Sequence, residues 1–421
     1  MLITSLVTAL LFFQTPPNKI EPPPQPDFQT RVDYFAWWQR QVKGTFTDDQ
    51  NAAPLLEKIL VSPLDFNGPY QATGDLVPWT PGEHPDWEKS CNDSRATIAM
   101  FRQASEKAFY LNPRLERPKT LMDLALPELS AFRRLATHNL EHGWRAKDGK
   151  VDGRELVDAI KSNLNAARQI QRDPMLVSYL VSMAIRALSY DTIFKALNRD
   201  AFDPAARAEL QKSLRDIGSA SFELPLAGEL ASNLDALQWL KLDKGAIDKK
   251  EDPRDILGKL GGAAIDFPAT RDALRDYFAS IAKLYRGAYS SRTLANFDSE
   301  LKKVKDLNLF TQMMLPKIDR AYILGRRAEA TRRAVLVLLQ LHAYHDKNQK
   351  WPAQLADLGK DAQYEILDPF TDNKPFVYKL AGDKFTLYSV AQNATDDGGT
   401  HDPKWGDEKP NTDYIFWPVQ K

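Results

Sequence analysis

The stretch RRAEATRRAVLVLLQLHAYHDKNQKWPAQLADL, residues 326–358, opens the segment that decides the fold of the last quarter of this chain. Apolar residues recur in it at helical spacing, which predicts a long helix with one buried face. Trp351-Pro352 predicts the end of that helix, because a residue that precedes proline is disfavoured in the helical region. The predicted buried face consists of Ala334, Leu338, Leu341 and Tyr344.

Alternating apolar residues follow this helix and predict a small antiparallel sheet. A first strand is predicted around Val377, and Gly382-Asp383 supplies the tight turn of a hairpin. A second strand then leads into a long loop, and a third strand is predicted at 414–419. The residues that share a face are Phe376, Tyr378 and Leu380 on the first strand, and Phe385, Leu387 and Ser389 on the second.

The loop between the second and third strands is crowded with carboxylates. Neighbouring carboxylates disfavour each other's ionisation, and a hard cation removes that cost. Calcium binds about six to eight oxygens from carboxylates and backbone carbonyls, and Gly398-Gly399 permits the tight bend that such a loop needs. The sequence therefore predicts a structural calcium site, with an acidic, solvated turn as the alternative. The candidate ligands are Asp396, Asp397, Asp402, Asp407 and Asp413.

Six short motifs follow one another in this region. They are Trp351-Pro352-Ala-Gln-Leu355, Asp368-Pro369, Pro375-Phe376-Val-Tyr378, Leu387-Tyr388-Ser389, Asp396-Asp397-Gly398-Gly399 and Asp413-Tyr414-Ile415. In this order they resemble the globular part of the type II secretion major pseudopilin. In that family the acidic loop holds a structural calcium, so the resemblance implies a calcium-stabilised α+β module at 326–421. Two positions depart from the family pattern, since Ala391 replaces a usual glycine and Asn393 a usual aspartate.

The N-terminus predicts export. Its apolar run, MLITSLVTALLFF, is too short to span a bilayer and has the length of a signal peptide. We therefore expect a signal peptide at 1–15, a proline-rich spacer at 16–27, no transmembrane helix in the mature chain, and a periplasmic, extracellular or envelope location. Lys+Arg and Asp+Glu both number 56, and the absence of a long basic run argues against a nucleic-acid partner.

Residues 28–325 predict closely spaced helices with short connections, which favours antiparallel helical hairpins. The expected fold class is thus mainly α: stacked hairpins followed by the small α+β module. The body resembles tetratricopeptide-type stacked hairpins, a resemblance that implies a surface for a protein or peptide partner. Asp173-Pro174 and Asp203-Pro204 predict helix N-termini. The predicted helices are 93–111, 119–145, 154–171, 174–198, 204–219, 226–242, 253–260, 269–290 and 296–315.

His138-Asn-Leu-Glu141-His142 fits the motif H-x-x-E-H. On a helix its two histidines lie one turn apart and can both reach a zinc ion, with Glu141 as the general base. A metallopeptidase needs a third ligand, for which Glu209, Glu223 and Glu229 are available without a recognisable motif. Because short motifs also arise by chance in ordinary helices, we favour a non-enzymatic scaffold, with a zinc metallopeptidase as the alternative.

Overall fold

The computed structural model describes residues 20–60, 66–243, 265–407, 409 and 411–420. The signal peptide predicted at 1–15 and the helix predicted at 253–260 lie outside these residues. Within them the protein is mainly helical and has two small antiparallel sheets, which confirms the predicted class at that level. No helix in this part of the chain is both long and apolar enough to cross a membrane.

The helices of the body are connected by short loops. In chain order they are α1 (Tyr34–Lys43), α2 (Ala53–Leu60), α3 (Pro69–Thr73), α4 (Pro85–Asp93), α5 (Arg95–Ser105), α6 (Glu128–Gly143), α7 (Gly153–Ile170), α8 (Leu176–Leu197), α9 (Pro204–Ile217), α10 (Glu223–Leu242), α11 (Phe267–Arg286), α12 (Thr293–Lys305), α13 (Leu309–Met314) and α14 (Asp319–Asn348). The strands are β1 (Ala146–Lys147), β2 (Lys150–Val151), β3 (Val377–Ala381), β4 (Lys384–Ser389) and β5 (Tyr414–Trp417).

Helix α8 lies at the centre of the body. It packs against α6, α7 and α14, and its residues Tyr179, Ile185 and Ile193 are almost completely buried. The sequence predicts this position, because α8 is apolar nearly all round. Its first turns reach the surface, where Val177 is 48% exposed.

Helix α14 joins the body to the C-terminal part. It begins at Asp319, so the boundary predicted between 325 and 326 falls inside one continuous helix. Residues 334–341 are buried on every side rather than along one stripe, because α8 and α9 cover the helix as well as the C-terminal elements. The helix ends at Asn348, where Gln349 takes a left-handed conformation with φ of 56°.

The second sheet has the strand order β3-β4-β5 and packs on the helical body. The hairpin turn is where the sequence predicts it, because Ala381 pairs with Lys384 across Gly382-Asp383. The buried face of this sheet packs on the core of the body: the ring centroids of Phe416 on β5 and Phe194 on α8 lie 6.0 Å apart. Burial falls along β3, which is an edge strand: Phe376 just before it is 2% exposed, whereas Leu380 near its end is 39% exposed.

Candidate metal centre

The two histidines of the H-x-x-E-H motif lie one helical turn apart on α6 and face the junction of α4 and α5. Ser94 is the single residue between those two helices, and Cys91 lies on the last turn of α4. Residues four apart on a helix share a face, so His138 and His142 both point at this junction. Three helices therefore bring a thiol, a hydroxyl and two imidazoles together.

The donor atoms of this cluster converge on one point. Cys91 Sγ and one ring nitrogen from each of His138 and His142 all lie within 4.8 Å of one another. Within the described part of the chain, this is the only group of three or more His, Cys, Asp or Glu side chains that meets this distance. Both Nε2 atoms approach Ser94 Oγ, at 2.7 Å from His138 and 3.1 Å from His142. Cys91 and His138 are each 1% exposed, so the centre is shielded from solvent.

Glu141 fixes the orientation of His138. Its Oε2 lies 2.5 Å from His138 Nδ1, and its Oε1 accepts a hydrogen bond of 2.9 Å from the backbone N–H of Tyr70. The ring of Phe66 stacks on the His138 imidazole, with centroids 4.1 Å apart. With Nδ1 occupied, His138 presents Nε2 to Ser94. A carboxylate on the far nitrogen of a histidine is the usual outer-shell partner of a metal ligand.

The charge states of the donors are set by burial. Burial lowers the pKa of His142 to about 3, and positive charge at His138, Arg102 and Arg145 acts in the same direction. His142 is therefore a neutral imidazole, the form that binds metals. Burial and the nearby charge of Glu141 raise the pKa of the Cys91 thiol to about 12. Metal binding at Cys91 would thus have to release a proton.

Ser94 closes a hydrogen-bond network among these groups. Its hydroxyl has one proton and two lone pairs, but four partners surround it: the two imidazoles, the carbonyl of Ser90 at 2.6 Å and the carbonyl of Cys91 at 3.3 Å. The chain Ser94–His138–Glu141 has the connectivity of a serine–histidine–carboxylate relay. However, the Ser94 residue is only 6% exposed and its hydroxyl lies against the Ser90 carbonyl. This position suits a hydrogen-bonding or metal-binding role better than attack on an acyl substrate.

The sequence predicts two of the three donors and misses the third. His138, Glu141 and His142 lie together as predicted, but the third donor is the thiol of Cys91, from another helix. The expected third ligands lie elsewhere: Glu209 pairs with Lys161, Glu223 pairs with Arg286, and Glu229 accepts from the backbone of Leu176. Cys91 is the only cysteine in the sequence, which was the one available signal.

The acidic loop is organised by hydrogen bonds to its own backbone. Asp413 accepts from the N–H groups of Asp397 and Gly399, the latter at 2.7 Å. Asp396 accepts from the Tyr388 hydroxyl at 2.8 Å. Burial and the charges of Asp396 and Asp397 raise the pKa of Asp413, partly offset by the N–H groups of Gly399 and Asp397. These three aspartates therefore lie close together at one end of the loop.

The other two predicted ligands in this loop have different partners. Asp402 is 3% exposed and accepts hydrogen bonds from the backbone N–H groups of Lys404 and Gly406. Asp407 forms an ion pair of 2.5 Å with Arg327 on α14. Asp396, Asp397 and Asp413 thus lie at one end of the loop, but their carboxylate oxygens do not all come within 4.8 Å of one another. Asp402 and Asp407 are directed elsewhere.

Comparisons with protein-family models, with curated proteins and with solved structures find no match to this chain.

Proposed function

We propose that this protein binds one zinc ion through Cys91, His138 and His142, and that the ion is structural. The observation that carries the proposal is the convergence of one thiol and two imidazoles to within 4.8 Å of one another. The ion would join α4 to α6 across the Ser94 junction. Because a metal that binds only the folded chain stabilises it, the zinc would add to the stability of this part of the body.

The donor types favour zinc over calcium or magnesium at this centre. A thiolate and neutral imidazoles are the ligands of zinc and other soft or borderline ions, whereas calcium and magnesium take oxygen ligands. Glu141 supports the same choice, because it holds His138 in the tautomer whose Nε2 is available.

The position of Glu141 favours a structural ion over a peptidase. A general base in a metallopeptidase must reach the metal-bound water, but both oxygens of Glu141 are taken, by His138 and by the Tyr70 amide. Three protein ligands leave one position of a tetrahedral zinc ion unfilled, as in catalytic sites, but Cys91 and His138 are each 1% exposed, so this position is shielded from a substrate. The zinc metallopeptidase expected as the alternative from sequence would require Glu141 to leave both partners.

Elemental analysis of purified protein tests the proposal. We expect one equivalent of zinc in the wild-type chain after equilibration with the ion, and no stoichiometric zinc in Cys91→Ala or His142→Ala. His345→Ala is the matched control, because His345 stacks on Trp351 in the C-terminal part and should leave zinc content unchanged. Wild-type protein that stays zinc-free at micromolar zinc would refute the site.

For the helical body we propose the role expected from sequence, a scaffold that binds a protein or peptide in the cell envelope. Exposed apolar side chains support it: Val177 is 48% exposed, Leu307 47% and Leu309 42%. Single exposed apolar side chains are common on protein surfaces, whereas contiguous patches mark binding surfaces. Leu307 and Leu309, which are close in sequence, are the candidates for such a patch. The pseudopilin-like arrangement of the C-terminal part is a proposal of the same kind, supported by its order of one long helix and a three-stranded antiparallel sheet.

The calcium site in the acidic loop stays a prediction, narrowed to Asp396, Asp397 and Asp413. We expect calcium to raise the melting temperature by about 1 °C, the shift that ~1 kcal/mol produces in a chain of 421 residues, because the entropy of unfolding scales with length. Asp397→Ala should abolish this rise. Asp407→Ala should retain it, because the Asp407 carboxylate binds Arg327 in the wild type. Melting curves in the His142→Ala background exclude any zinc contribution. A curve that calcium and chelator leave unchanged would contradict the prediction.

A further inference from the structure

Residues 66–73, here called the strap, contact the metal centre. Residues 61–91 are rich in proline, glycine and tryptophan, a composition that predicts a long irregular stretch, and such stretches are uncommon inside compact domains unless they have a function. The strap contains the short helix α3, and several of its contacts with the rest of the chain are with residues of the metal centre.

Four contacts join the strap to the metal centre and to α4 beside it. The Phe66 ring stacks on His138, and the Tyr70 N–H donates to Glu141. The backbone N–H of Asn67 donates to the Ser90 hydroxyl at 3.0 Å, one turn before Ser94. Gly68 lies so close to Glu141 that a Cβ at this position would stand 2.2 Å from its Oε2. Three of the four contacts are therefore with His138 or Glu141.

The next few residues are attached independently. Asp75 forms an ion pair with Lys195 on α8. The backbone N–H of Trp79 donates to the carbonyl of Trp144 at 3.2 Å, and the Trp79 indole N–H donates to the backbone carbonyl of Glu141 at 2.8 Å. None of these groups is a side chain of the proposed metal centre. Residues 75–79 therefore serve as an internal reference for the strap.

From these contacts we infer that zinc occupancy of the Cys91–His138–His142 site controls how firmly the strap is held on α6. This inference rests on the proposed zinc site. Zinc on His138 Nε2 would fix the position of the imidazole, and with it the Glu141 carboxylate through the 2.5 Å contact at Nδ1. Glu141 Oε1 receives the Tyr70 N–H, so the strap is attached to a side chain that the zinc would position. Without zinc, the partner of His138 Nε2 is the Ser94 hydroxyl, which it shares with His142.

The size of the effect follows from linkage. Loss of an outer-shell partner typically weakens metal binding by about 10–100-fold. Coupling between two binding events is reciprocal, so zinc should stabilise the attached state of the strap by a similar factor. The lower end of this range predicts about tenfold slower hydrogen exchange at the Asn67 and Tyr70 amides.

Hydrogen exchange of the full chain, with zinc and with chelator, tests the inference. We expect about tenfold slower exchange in peptides covering 66–73 with zinc, and no change in peptides covering 75–80. His142→Ala is the matched control, because His142 makes none of the contacts with the strap described above. In this variant, exchange in peptides covering 66–73 should match that of the chelated wild type, both with zinc and with chelator. Zinc that binds at one equivalent without slowing exchange in 66–73 would overturn the inference and leave the zinc site standing. Absence of zinc binding overturns both.

The coupling also predicts the reverse effect, that of the strap on zinc affinity, and a zinc titration measures it independently. Gly68 has an extended backbone, with φ of −147° and ψ of −179°, a conformation that alanine adopts without strain. Gly68→Ala therefore acts only by pushing against Glu141. We expect it to weaken zinc binding by about tenfold, although Gly68 is not a ligand. Unchanged zinc affinity in a folded Gly68→Ala variant would count against coupling between strap and site.

Discussion

Glu329→Ala is expected to lower the free energy of unfolding by about 3–5 kcal/mol, the usual cost of removing one partner of a buried ion pair. Glu329 lies on α14, is 13% exposed, and binds two arginines at once. Its oxygens accept from Arg332 at 2.8 and 3.0 Å and from Arg333 at 2.7 Å. Arg332 is 3% exposed, so the substitution leaves a buried positive charge without this carboxylate.

Urea denaturation of matched variants measures this effect. Glu329→Gln keeps one acceptor oxygen and should fall between the wild type and Glu329→Ala. Asp276→Ala removes an exposed partner of Arg275, with side chains 48% and 71% exposed, and should change stability by less than about 0.5 kcal/mol. Similar losses in Glu329→Ala and Asp276→Ala would show that the buried triad contributes no more than a surface pair.

The same triad predicts a dependence on pH. Burial raises the pKa of Glu329, but the charges and hydrogen bonds of Arg332 and Arg333 outweigh it and lower the pKa to about 2, from 4.5. Between pH 4.5 and 2 the unfolded chain therefore binds this proton more readily than the folded one. The stabilisation is complete above pH 4.5 and is lost as the pH falls towards 2.

Asp173→Ala is expected to cost about 2–4 kcal/mol, because it leaves several buried donors without an acceptor. Asp173 accepts from the Trp38 indole N–H at 2.8 Å, the Ser178 hydroxyl at 2.7 Å and the Met175 N–H at 3.1 Å. It thus ties α1 to the first turn of α8, the central helix of the body.

Asp203→Ala is the control for Asp173→Ala. Asp203 caps α9 through the Ala206 N–H at 2.7 Å and is exposed, so its loss should cost only about 1 kcal/mol.

Burial raises the pKa of Asp173 to about 6, against hydrogen bonds from Ser178, Trp38 and Met175. Its contribution to stability therefore falls as the pH rises from about 4 to 6, and Asp173→Asn should remove this slope. Equal losses in the two alanine variants would contradict the role given to Trp38.

Elements were predictable from sequence where their ends are determined by neighbouring residues and not by tertiary contacts. Gly382-Asp383 gave the hairpin turn, and Asp203-Pro204 gave the start of α9, because both signals depend on adjacent residues. The helix predicted at 119–145 begins only at Glu128, after Pro127, and Leu121–Asp123 form a separate 3-10 turn before it. The helix predicted at 296–315 is interrupted after Lys305, because Asn308 caps a new helix.

The metal centre was predictable only in part. The spacing of His138 and His142 is a local property of α6, so the motif shows it directly. Cys91 joins them only because α4 packs across α6, and no local pattern encodes that contact between distant segments. The role of Glu141 was also hidden, since its partner Tyr70 comes from a stretch without regular periodicity.

Helix α14 has a practical consequence for work on this protein. A fragment that starts at residue 326 would begin inside a helix and expose Val335, Leu336 and Leu339, which are fully buried in the whole chain. Such a fragment should have poor solubility and form aggregates, because it presents a continuous apolar surface on a helix with no covering partner. The C-terminal part is therefore best produced together with α8 and α9.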